Sequence, residues 1–155
     1  MSRMPLLGRR TVRSVFTIAS SLDRVECVRE IIDTYLPGRD VEGESELLEL
    51  LQTLRGLHAT AKNKDSPLPQ AVEDKLLGLL WKNPGLRRVE TTAALLHVRK
   101  LCTNKIDSLC GEAGHQELAS MDGSQLLNLQ NSYATADRVF RRSLQELQKS
   151  FNGER

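Results

Sequence analysis

Ser45-Glu46-Leu47-Leu48-Glu49-Leu50-Leu51 opens a run that continues to Ala61, and its reading decides the fold. Leucine doublets three residues apart repeat on one side of a helix, because positions three and four apart are neighbours there. Glu46 and Glu49 fall in the first turns, where negative charge complements the helix dipole. The pattern returns at Leu76, Leu77, Leu79 and Leu80, at Leu95 and Leu96, and at Leu126 and Leu127. Turn signals separate these stretches, so the expected fold is all-α. Two arrangements fit: stacked helical hairpins forming a short α-solenoid, or an irregular bundle of six to seven helices. The doublets recur at intervals of 29, 19 and 31 residues. Only the last interval relates comparable positions, so the spacing supports packed helices more directly than a regular array.

Working outward, Leu22, Val25, Val28, Ile32 and Tyr35 predict a helix over 22–36, with Ser20 and Asp23 near its start and Pro37-Gly38 ending it. Lys62 to Pro69 is a loop, because two prolines among polar residues stop a helix. A helix resumes at Pro69 or Gln70 and runs to Trp81 before Asn83-Pro84-Gly85. Helices are then expected over 90–102 and 105–119, the second weakened by Gly111 and Gly114. Met121 to Ser124 forms a turn and cap. Leu126 to Tyr133 makes one further helix, and Val139 to Phe151 the last.

The 155 residues suit one globular domain, expected over 22–152, with enough apolar material for a core. Aromatic residues are only 4% and leucine dominates, which favours helix packing over a sheet. A net charge of +2 excludes nucleic-acid binding by bulk charge, so any basic surface is local. Three cysteines without a pairing pattern argue for a reducing compartment. No apolar run approaches the ~20 residues of a membrane span.

Residues 1–21 form a separate basic segment. Arg3, Arg9, Arg10 and Arg13 precede the first acidic residue, Asp23, and Met4, Leu7, Phe16 and Ile18 can supply an apolar face. This composition resembles that of a mitochondrial targeting sequence, from which the expected location is the matrix; the alternative is a disordered basic tail.

Thr92-Ala93-Ala94-Leu95-Leu96-His97-Val98 can be laid over Gly123-Ser124-Gln125-Leu126-Leu127-Asn128-Leu129, an offset of 31 residues. With Leu118 to Ala134, this stretch resembles organellar helical-repeat proteins of the FAST-kinase-like and octotricopeptide class, over about residues 86–150. The chain lacks the aromatic usual in the first helix of those repeats and has too few units for a long RNA track. The resemblance therefore implies a subunit working within a larger ribonucleoprotein. Leu79 to Cys110, with Trp81, Leu86, Val89 and the run Leu95 to Leu101, also resembles the helical N-terminal domain of TFIIS-type elongation factors, which implies a peptide-binding bundle.

Residues that carry chemistry are few. His97, Cys102, Cys110 and His115 are separated by four, seven and four residues, which matches no familiar zinc finger, and no metal or other cofactor is expected. No Ser/His/Asp set, Gly-rich phosphate loop or framed carboxylate pair is present, so neither an enzyme nor a small-molecule substrate is expected. What remains are basic clusters: Arg87 and Arg88, then Arg99, Lys100 and Lys105, then Arg138, Arg141 and Arg142. Arg87, Arg88, Arg99, Lys100, Arg138, Arg141 and Arg142 are the candidate RNA-binding residues, since successive hairpins can align such clusters into a stripe that meets phosphates. Trp81 and Tyr133 carry rings able to stack on bases, but the expectation for both is core or boundary packing.

The resulting expectation is a non-catalytic helical component of an organellar ribonucleoprotein, a mitochondrial ribosome or RNA-processing assembly, contacting rRNA or other RNA backbone and protein subunits. The alternative is a structural or adaptor subunit of a respiratory, ATP synthase or transcription complex that docks through leucine-rich faces without RNA.

Overall fold

The computed structural model describes residues 16–111 and 114–152. Arg3, Arg9, Arg10 and Arg13 of the expected targeting segment lie outside them. Six helices and no strand occur among the described residues, which makes the protein all-α. The chain divides into two compact units, with the boundary between Glu90 and Thr91.

The first unit contains α1 (Ile18–Glu30), α2 (Glu44–Thr60), α3 (Gln70–Lys82) and the opening turns of α4 (Pro84–Cys110). Helix α1 starts four residues before the expected position. Thr17 caps it through a reciprocal box: its Oγ1 accepts from the Ser20 amide at 3.2 Å, and the Ser20 Oγ accepts from the Thr17 amide at 3.1 Å. The 62–69 loop completes this cap. Ser66 and Lys64 carbonyls accept from the Ile18 and Ala19 amides at 3.0 Å each, and the Leu68 amide donates to the Phe16 carbonyl at 2.8 Å. Amides that a helix start leaves unpaired are thereby satisfied. Phe16 and Ile18, expected on the face of a targeting helix, are instead buried in this unit.

α1 loosens into a π turn over Ile31–Tyr35, and Pro37 with Gly38, at φ +76°, ends it. Gly43 precedes α2 at φ +90°, and a Cβ there would stand 2.8 Å from Asn83 Nδ2. Asn83 is itself buried, donating to the Leu79 carbonyl at 2.8 Å, so this close approach fixes glycine.

The doublets divide by burial. Leu76 is 3% exposed and Leu77 42%, and the Leu47/Leu48 pair divides the same way, whereas Leu50, Leu51, Leu79 and Leu80 are all buried. α2 packs against both α1 and α3. Arg24 and Glu90 pair beside this core, with Arg24 lying 5.1 Å over the Phe16 ring.

The second unit comprises the rest of α4, the short α5 (His115–Ser120) and α6 (Gly123–Phe151). Here the expected boundaries fail. α4 runs unbroken for 27 residues through Thr103 and Asn104, and α6 for 29 residues through Ala134 to Asp137. Neither expected break contains Gly or Pro, and short polar residues alone do not end a helix whose neighbours pack. The real break follows Cys110, at Gly111. Gly114 is also required, since a Cβ there would meet the Ser108 carbonyl at 2.2 Å. Asp122 caps α6 as expected, accepting from the Gln125 amide at 2.8 Å.

α4 and α6 run antiparallel. Thr92 meets Ser143 at 2.8 Å and Arg99 meets Asp137 at 2.8 Å, so contacts advance along α4 as they retreat along α6. Leu96, Leu109, Ala136, Phe140 and Leu147 are buried here. No helix among the described residues is long and apolar enough to cross a membrane.

Candidate nucleic-acid interface

The candidate basic residues fall in both units. In the second, Ala136, Phe140 and Leu147 face inward, which turns the opposite side of α6 to solvent. Arg138, Arg141, Arg142 and Lys149 are exposed on that side, with Gln145 between them. Steps of three and four residues keep these positions on one stripe of the helix. Arg138, Arg142 and Lys149 have no ion-pair partner among the described residues, and Glu146 stands at the edge of the stripe. Lys149 was absent from the sequence-based set. Its spacing from Arg138 and Arg142 was the available signal.

Arg99 and Arg141 are placed differently from Arg138 and Arg142. Arg99 Nη1 holds Asp137 Oδ1 at 2.8 Å, with its guanidinium 4.6 Å over the Phe140 ring, and Arg141 Nε holds Asp137 Oδ2 at 2.9 Å. The Arg99 hydrogen bond, with that of Arg141 next, holds the Asp137 carboxyl below the usual carboxylate range. Arg99 is thus a strut within the hairpin. Arg141 reaches from the solvent stripe and neutralises part of the same carboxylate. Lys100 is exposed on α4.

In the first unit, Arg87 and Arg88 are exposed on the opening turns of α4. Trp81, at the end of α3, is 79% exposed, contrary to the expected packing. The turn at Asn83 brings the Arg87 guanidinium to 5.4 Å from the centroid of that ring. Tyr133 occupies a boundary position, half-buried as expected.

A shallow groove beside the α4–α6 hairpin is lined by Leu95, Val98, Cys102, Ser132, Ala136 and Val139. Among the described residues no group of three or more His, Cys, Asp or Glu side chains is positioned to hold a metal ion. His97, Cys102, Cys110 and His115 form no such cluster. The comparisons with known proteins return no match, whether among protein-family models, curated proteins or solved structures.

Proposed function

We propose that this chain is a non-catalytic helical component of an organellar ribonucleoprotein, a mitochondrial ribosome or RNA-processing assembly, and that it contacts RNA backbone through the outer face of α6. The observation that carries this reading is the stripe itself: Arg138, Arg142 and Lys149 share one solvent face without ionic partners among the described residues. Cations left unpaired in this way are available to displace counterions from phosphates. The likeness of residues 86–150 to organellar helical-repeat proteins and the basic composition of residues 1–21 support the same setting. Arg99 is assigned to holding the hairpin rather than RNA.

Purification of the native protein with and without nuclease tests this reading. RNA is expected to co-purify, and replacing Arg138, Arg142 and Lys149 by Gln together is expected to release most of it. Retention unchanged by these substitutions contradicts the reading. The adaptor reading draws on the groove at Val98, Cys102 and Val139, and protein partners that survive nuclease treatment favour it.

A further inference from the structure

Asp137 holds two guanidiniums at once, and the two are placed differently. Arg99 Nη1 donates to Oδ1 at 2.8 Å and lies 4.6 Å over the ring of the buried Phe140, so the carboxylate is fixed from the core side. Arg141 donates to Oδ2 through Nε at 2.9 Å, and its side chain is 69% exposed against 23% for that of Asp137. A guanidinium carries five N–H donors in a planar fork. With Nε–H engaged by Asp137, the donors on Nη1 and Nη2 have no acceptor among the described residues. Two guanidiniums on one carboxylate also leave one positive charge uncompensated, and it stands three residues from Arg138, at the flank of the solvent stripe. An ion pair at this spacing on a solvated helix adds little stability. Its larger effect is on Arg141 itself, whose side chain it restrains.

We propose that Arg141 is a phosphate-binding residue of the α6 face, its fork held by Asp137 so that Nη1 and Nη2 meet one phosphate of the RNA backbone, with Asp137 as a positioning residue. This inference rests on the α6 reading and adds to it an arginine that the unpaired stripe leaves out. Two terminal oxygens of a phosphate match the guanidinium fork, whereas an ammonium is a point charge. Arginine anchored at Nε keeps that fork for the ligand and loses less rotamer freedom on binding. Lysine has a single nitrogen and must divide it between Asp137 and the phosphate. The carboxylate is a tolerable neighbour for a phosphate because Arg99 already balances it.

The experiment measures anisotropy of a labelled oligouridine with the full chain across a salt series, comparing the parent with Arg141→Lys, Arg142→Lys and Asp137→Ala. Arg141→Lys keeps the charge, yet it is expected to weaken binding about tenfold. Its slope of log affinity against log salt is expected to be shallower by about 0.7, as one phosphate contact is lost. Arg142→Lys, a contact by charge alone, is expected to stay within about twofold of the parent. Both positions are exposed, so both lysine variants are expected to melt as the parent does. Asp137→Ala removes a negative charge, which by bulk electrostatics would tighten RNA binding. It is expected to weaken binding instead, and to add nothing further to Arg141→Lys.

Equal affinities for Arg141→Lys, Arg142→Lys and the parent overturn the fork while sparing phosphate contact by the stripe. Asp137→Ala that binds as tightly as the parent, or more tightly, overturns the positioning role. Poly-glutamate bound in place of oligouridine overturns the proposal in favour of an acidic protein partner. No binding of oligouridine by the parent removes the fork and the α6 reading together.

Discussion

The two units use leucine differently. In the first, Leu47, Leu50, Leu51, Leu54, Leu76, Leu79 and Leu80 close a core from three helices, and the 62–69 loop is spent on capping α1. In the second, one long hairpin must bury its own surface with fewer apolar side chains. Leu101 is 54% exposed, Val98, Leu127 and Val139 are also exposed, and the helices are joined in part by the Thr92–Ser143 and Arg99–Asp137 contacts. A hydrophobic core is non-directional and tolerates variation, whereas a polar strut depends on geometry and on charge state. The second unit is therefore expected to respond more sharply to single changes and to pH.

The largest expected effect is at Phe140, buried in the hairpin under the Arg99 guanidinium. Phe140→Ala is expected to cost about 3–5 kcal/mol, with amide-exchange protection lost along α6 and retained in α2. Uniform loss across both units would show that they unfold as one and break the comparison. Leu51→Ala, in the first core, is expected to cost about 2–5 kcal/mol with the opposite distribution of lost protection. Gly43→Ala comes next at more than about 1 kcal/mol, because φ of +90° and the contact with Asn83 both oppose a side chain.

The smallest of these effects concerns pH. Asp137 is held below its unfolded carboxylate value by Arg99 and Arg141, so the unfolded chain takes up its proton first as pH falls. Its contribution is present above the unfolded value and is lost as pH drops through the depressed folded one. Urea midpoints in this acid range are expected to decline for the parent and to be flatter for Asp137→Asn. Parallel declines would assign the acid sensitivity to other carboxylates.

Much of the first unit was legible in the sequence because its signals are local. Pro37-Gly38, the prolines at 67 and 69 and the doublets are punctuation and periodicity within one element. The start of α1 was missed because the cap at Thr17 is completed by Ser20 and by a loop about fifty residues away. In the second unit, the apolar periodicity lapses over Thr103-Asn104 and Ala134 to Asp137, where no Gly or Pro stands, and the helices run through both gaps.

The candidate interface was legible as composition but not as placement. Arg99 and Arg142 look alike in sequence, and only the approach of Asp137, 38 residues away, makes one a strut. Trp81 follows a leucine doublet, so helical periodicity suggested packing. Its exposure depends on how α3 is rotated against α2, which spacing within one helix does not fix.

The central claim, that the outer face of α6 meets RNA phosphates, is tested most directly by the salt dependence of RNA binding. The parent chain and a variant carrying Arg138→Gln, Arg142→Gln and Lys149→Gln are each titrated with labelled single-stranded RNA across a salt series. The predicted result is weaker binding by the variant at low salt, with a slope of log affinity against log salt shallower by about two units, while its melting temperature stays within a degree or so of the parent. An unchanged slope at unchanged affinity contradicts the claim.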